Sequence, residues 1–174
     1  MRPRRGRPPR LRIEGTLTQL GHEVRTITAA AFSDRGWFKD IDAVLVGASI
    51  HVSKHQALIH EFVTDHRDIL ESFPTGFFQV SLSSANEEGR EQAASYVEMF
   101  TEATGWHPDR IGLFGGALRY SEYGFLKRTM MKKIVKKSID ELPDPDEIGD
   151  YEFTDWEEVE MFTQDFAAYV EQVD

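Results

Sequence analysis

The sequence predicts an α/β protein, a parallel sheet with helices on both faces, and three observations carry that prediction. Ala43 to Val46 is an unbroken apolar run of β-leaning residues closed by Gly47-Ala48-Ser49; a run without alternation suits a strand buried on both faces. Two more short apolar runs, Gly76 to Leu82 and Ile111 to Phe114, also open into small residues, Ser83-Ser84-Ala85-Asn86 and Gly115-Gly116-Ala117. Stretches of helical periodicity lie between these runs, the alternation of a doubly wound sheet. In such sheets ligands sit beyond the carboxyl ends of the strands. Glycine and serine after a strand are also ordinary turn chemistry, so small-residue loops alone leave both readings open.

Residues 1–10 read as a disordered arm, because five Arg and three Pro in ten positions do not pack. Arg12 to Gly21 places Ile13, Leu17 and Leu20 on one helical face, with Gly21 as its stop. Val24 to Ile27 reads as a short strand, and Trp37-Phe38 as an aromatic pair on the sheet edge. Gln56 to Leu70 carries an apolar stripe through Leu58, Ile59, Phe62, Val63, Ile69 and Leu70, ended by Pro74. Arg90 to Thr104 turns Ala93, Ala94, Val97, Phe100 and Ala103 inward and closes on Gly105. Thr154-Asp155-Trp156-Glu157 looks like a capping box that leads a helix through Val159, Phe162, Phe166 and Val170.

At 174 residues, 40% hydrophobic and 11% aromatic, the chain is long enough for one domain with a proper core. With no Cys, disulfides and thiolate metal sites are excluded, and the cytoplasm is the expected address. No apolar stretch approaches a membrane span, and the basic N-terminus lacks the apolar segment of a signal peptide. His51, His55, His60 and His66 recur without the spacing of a metal site, so no metal is expected. The net charge of −10 argues against nucleic acid. Its distribution is uneven: six Lys or Arg lie between Lys127 and Lys137, while Asp140 to Asp174 holds 14 acids and no Lys or Arg. The acidic tail reads as a solvated face or an adaptation to high salt.

GASIHVSKH (47–55), FFQVSLS (77–83), GGALRYSEYGFLKR (115–128) and TDWEEVEMF (154–162) together resemble the flavodoxin-like, quinone-dependent protoporphyrinogen oxidases of haem (porphyrin) biosynthesis. The resemblance runs from about residue 12 to 171, and the basic insertion followed by TDWE separates it from short flavodoxins. It implies a flavodoxin-like three-layer α/β/α fold with strand order 2-1-3-4-5 and FMN over the carboxyl edge. Ala48, Ser49, Ile50 and His51 would form one flavin loop, and Ser81, Leu82, Ser83 and Ser84 a second. Gly116, Ala117, Leu118 and Tyr120 would line the wall. Backbone N–H groups in such loops can meet the flavin's polar edge, and Tyr120 offers a stacking face. His51 and Arg119 would stand at the rim as substrate contacts, Arg119 facing porphyrinogen propionates or reduced flavin; a surface ion pair is its plainer role. The chemistry would be flavin-centred, with no protein nucleophile.

The front of the chain departs from that pattern. Where the family has an apolar strand and a Gly/Thr/Ser loop for the FMN phosphate, this chain has MRPRRGRPPRL. The absent strand is the central one, between the strands expected at Val24 and Ala43. The expectation is that residues 1–11 are a disordered or non-native basic arm, from a frameshift or wrong start, and that 12–174 form the FMN domain. Arg residues holding the phosphate instead is the rival account.

Tyr123 to Ser138, within an insertion at about 121–139, reads as an amphipathic helix with Leu126, Met130, Met131, Ile134 and Val135 on one half. Lys127, Arg128, Lys132, Lys133, Lys136 and Lys137 mostly fill the other, as on a helix that lies on anionic lipid. A surface helix covering the sheet is the plainer alternative. The function expected by resemblance is oxidation of protoporphyrinogen IX to protoporphyrin IX, with FMN as cofactor and menaquinone or ubiquinone as acceptor. The enzyme would be peripheral on the cytoplasmic face of the membrane. The alternatives are a flavodoxin-type electron carrier, or an apo binding domain that no longer holds the FMN phosphate.

Overall fold

A computed structural model describes residues 8–51, 54–119 and 150–173, with the side chains of His51, Lys54, Leu118, Arg119, Asp150 and Tyr151 left out. The apolar runs of the sequence become β1 (Val44–His51), β3 (Thr75–Val80) and β4 (Arg110–Phe114), while β2 (Lys54–His55) follows β1 directly. β1 pairs in parallel with β3 from Val44↔Thr75 to Ser49↔Val80, and β3 in parallel with β4 from Gly76↔Arg110 to Val80↔Phe114. β2 folds back antiparallel on the far end of β1, at Ile50↔His55. Beyond β4 the chain forms β5 (Ala117–Arg119), which pairs antiparallel with β6 (Asp150–Glu152).

Helices cover both faces of the parallel ladder. On one side α2 (Ala57–Leu70) and α3 (Glu87–Thr104) bring Val63, Leu70, Val97 and Phe100 onto Val46, Ala48 and Phe77. On the other, α1 (Pro9–Gln19) and α4 (Trp156–Val173) bring Ile13, Val159 and Phe162 onto Leu45, Phe78 and Phe114. Neighbouring strand residues therefore serve opposite cores, as the pleat requires. Phe77 stacks on Phe100 with centroids 5.0 Å apart, and Trp106 meets Phe77 edge-on at 6.0 Å. Phe38 joins this core, so it is more than an edge residue, whereas Leu58 and Ala103, expected inward, face solvent.

The sequence places most boundaries within three residues. α1 starts at Pro9, inside the stretch read as an arm, with proline in its first turn, where a missing N–H costs nothing. α3 starts at Glu87, because Asn86 caps it by accepting from Gly89 N–H at 2.8 Å. Gly105 ends that helix at φ 69°, the left-handed turn glycine accepts without strain. The capping box at α4 is not formed. Asp155 Oδ1 accepts from Glu157 and Glu158 N–H at 3.0 and 3.2 Å, while the Thr154 hydroxyl donates to Gly115 O at 2.9 Å. The acids of α4 are not purely solvated either, since Arg12 pairs with Glu160, Arg90 with Glu158 at 2.8 Å and Arg110 with Asp165 at 2.8 Å.

One expected strand is not made. Residues 22–28 run without strand pairing. Val44 N–H bonds to Pro74 O at 3.0 Å, which turns alternate residues of β1 toward β3 and leaves Leu45, Gly47 and Ser49 facing the other edge. Between that edge and residues 24–27 lies a cavity of about 520 Å³. Val24 to Ile27 has no ladder beside it, and strand geometry is held by such pairing.

Phe77 is 0% exposed at the centre of the larger core, so Phe77→Ala is expected to lower stability by about 3–5 kcal/mol. Leu58→Ala, at a side chain 53% exposed, is expected to stay within about 0.5 kcal/mol in the same urea-denaturation series.

Candidate functional site

All three parallel strands run the same way, so their small-residue outlets share one rim. A cavity of about 360 Å³ opens there, in the size range of small-molecule sites. β1 supplies Gly47, Ala48 and Ser49; Val80 ends β3; Gly116 and Ala117 follow β4. Pro8, Pro9 and Arg10 approach from the amino end of α1, with Glu152 and Thr154 closing the far side.

Each wall has a local cause. Glycine at 115 is required by close approach, since a Cβ there would run into the Phe153 carbonyl. The same crossing is fastened by the Thr154 hydroxyl on Gly115 O and by Phe153 N–H on Gly116 O at 3.0 Å. A Cβ at Gly116 would sit 3.2 Å from Val80 Cγ1, so its absence keeps the floor flat. Gly47 is likewise bare because the Phe78 ring packs against it. Ser49 is partly buried, and its N–H and C=O face the open edge of β1.

The predicted loops are brought together unequally. Ala48, Ser49, Gly116 and Ala117 line one cavity. Ser81 to Ser84 do not line it. Leu82–Ala85 is a 3₁₀ turn, the Ser81 and Ser84 hydroxyls lie 2.8 Å apart, and Ser83 Oγ donates to Gln92 Oε1 at 3.0 Å. Their hydroxyls are spent on holding the turn, and Ser81 N–H is tied to Phe114 O at 3.0 Å. Ile50 and His51 lie past the cavity, where β1 meets β2. Leu118 and Arg119 are in β5, while Tyr120 and the basic residues Lys127, Arg128, Lys132, Lys133, Lys136 and Lys137 lie outside the described residues. Sequence reading missed Arg10, Gln56, Val80, Glu152 and Thr154 as lining residues; Val80 and Thr154 stand inside FFQVSLS and TDWEEVEMF, while no motif marks the other three.

Behind the floor lies a buried polar chain. Gln79, 0% exposed and paired in register with Ala48, donates from Nε2 to Ala93 O at 3.0 Å. Its Oε1 lies 2.8 Å from His55 Nε2, and that ring packs 4.7 Å from Phe100. Burial holds the His55 pKa below its ordinary 6.5; the Gln79 hydrogen bond works the other way and His60 adds to the lowering.

A cavity with bare backbone on its floor and apolar walls suits a flat aromatic ligand. The family model for the flavodoxin domain matches residues 11–143. Protoporphyrinogen IX dehydrogenase (quinone) of Escherichia coli K12 is 34% identical over 156 residues, 89% of this chain and 84% of that one. This chain belongs to the flavodoxin-like protoporphyrinogen IX dehydrogenase family. The Leishmania major protein of the same name is 33% identical over 130 residues, 74% of this chain and 55% of that one. No solved structure matches. A flavodoxin domain is a flavin-binding domain, and the ring side of this cavity fits that cofactor class: flat, small-residued and walled by Phe78 and Val80.

Because the folded His55 pKa is depressed, the unfolded chain binds the extra proton, so stability falls as pH drops from above 6.5 through the folded value. Chemical denaturation at a series of pH values is expected to show this loss, and His55→Gln is expected to flatten it.

Proposed function

We propose that this protein oxidises protoporphyrinogen IX to protoporphyrin IX, with FMN as its flavin and a membrane quinone as acceptor. The observation that carries the reading is 34% identity across 84% of a protoporphyrinogen IX dehydrogenase (quinone), with a bare-backbone cavity at the strand ends. When flavin is bound, the chemistry supplied there is removal of hydrogen from the substrate, with the electrons passed on to the acceptor.

The chain's own residues would position and enclose. Ala48, Ser49, Gly116 and Ala117 would form the ledge against which the ring lies, their small size letting backbone groups reach its polar edge. Phe78 and Val80 would keep water from one side. Ser81 to Ser84 would hold the neighbouring turn in shape, as their mutual hydrogen bonds favour. His51 and Arg119 would meet the porphyrinogen's edge, Arg119 by pairing with a propionate. The six basic residues from Lys127 to Lys137 would hold the enzyme to an anionic surface where quinone resides. Arg10 is the one cation lining this cavity among the described residues.

The test is anaerobic turnover of protoporphyrinogen IX by the FMN-loaded full chain, with quinone carried in vesicles and porphyrin fluorescence as readout. Turnover is expected to need both flavin and quinone, and to be faster on anionic than on neutral vesicles. Porphyrin formation no faster than without protein would end the reading, and indifference to lipid charge would end its membrane part.

With Arg10 exposed, FMN is expected to bind at most about tenfold more tightly than riboflavin in fluorescence titrations. Arg10→Ala is expected to remove that difference.

A further inference from the structure

Gln79 is a polar side chain buried where the core is otherwise apolar. It is 0% exposed, on the face of the sheet that carries Val46, Ala48 and Phe77. Burying an amide there costs stability unless both of its ends are bonded, and both are. Nε2 donates to Ala93 O at 3.0 Å, and Oε1 lies 2.8 Å from His55 Nε2. Ala93 O can only accept, so the amide must turn its NH₂ end to α3 and its carbonyl end to the ring. The ring must then donate, which places the proton of neutral His55 on Nε2. A fully bonded polar link of this kind specifies one arrangement of the elements it joins.

The elements joined are β3, α3 and β2. β2 is two residues long and pairs with β1 only at Ile50↔His55 and His51↔Lys54, too little ladder to hold an arm in place by itself. The His55 side chain supplies the rest, with its ring 4.7 Å from Phe100 and 5.5 Å from Phe77 and its Nε2 tied to Gln79. Gln56 comes next in the chain. It opens α2 and lines the strand-end cavity beside Ala48 and Val80, the residues that flank Gln79 across and along the sheet. The Gln56 side chain makes no cap hydrogen bond to the helix it opens. Its amide carries both donors and an acceptor, which suits the alternating acceptors and donor along the polar edge of a flavin ring.

We infer that Gln79 is a positioning residue of the flavin site: through its bond to His55 it holds Gln56 where the side-chain amide meets the polar edge of the ring. The inference rests on the reading of this cavity as a flavin site and deepens it.

The test is titration of the full chain with riboflavin, which carries the ring without the phosphate, with urea denaturation of every variant alongside. Gln56→Ala, at an exposed position without a cap bond, is expected to leave stability unchanged and to raise the riboflavin Kd about fivefold. Gln79→Met keeps the length and removes both hydrogen bonds; it is expected to raise the Kd by a similar factor and to lower stability. In the double variant the stability loss is expected to persist while the Kd stays at that of Gln56→Ala alone. A further rise in that background would overturn the inference and reduce Gln79 to a strut of the core. An unchanged Kd in either single variant would overturn it too. His55→Phe breaks the same link at a half-buried ring, and the same comparison with Gln56→Ala decides the matter if Gln79→Met does not fold. The imidazole ¹⁵N shifts of His55 are expected to show the proton on Nε2, and a proton on Nδ1 would overturn the link itself. No riboflavin binding by the unaltered chain would overturn the flavin reading and this inference together, whereas binding that ignores the variants overturns this inference alone.

Discussion

The parallel hydrogen-bond ladder from β1 through β3 to β4 is the constraint on which the rest of the molecule depends. Parallel pairing sends all three carboxyl ends to one rim, and that rim is where the small-residue outlets meet. It also sorts side chains between the two cores, Val46 and Phe77 to one face and Leu45 and Phe78 to the other. Bare positions let large rings cross the ladder: Phe78 lies against Gly47, and Phe166 approaches Gly76 to 3.1 Å of where a Cβ would stand. A sheet buried on both faces must be apolar throughout. Gln79 and Thr75 of β3 are buried polar exceptions, Gln79 bonding His55 and Ala93 O, and Thr75 donating to Asp109 Oδ2 at 3.3 Å.

The site is a product of what that ladder leaves unused. Polar groups near the rim are mostly engaged in holding backbone: Thr154 on Gly115, Ser81 on Ser84, Asn86 on Gly89. The ledge of Ala48, Ser49, Gly116 and Ala117 then presents main chain rather than side chain, which suits a flat cofactor that carries the reactivity itself. Among the described residues that line the cavity, Arg10 is the one cation.

Two cavities flank the carboxyl half of β1 and share Gly47, Phe78 and Arg10 in their walls. Apart from the amino end of α1, the residues that line the strand-end cavity run from Gly47 onward. The amino end of α1 stands over it with Pro8, Pro9 and Arg10, a set poor in the N–H groups and hydroxyls that usually cradle phosphate.

Legible in the chain alone were the layered α/β class, the three parallel strands, most of the inward stripes of α2 and α4, and the place of the small-residue loops. These follow from local signals: unbroken apolar runs, helical spacing, and Gly or Asn at ends. Tertiary structure alone decided which loops face the cavity. Ser81 to Ser84 and Gly116-Ala117 look alike as sequence, yet the serines bond one another while the glycine and alanine lie bare. It also decided that Val24 to Ile27, β-leaning by composition, is no strand. A strand is made by its neighbour, and whether a neighbour lies alongside is a fact of three dimensions that no window of sequence contains.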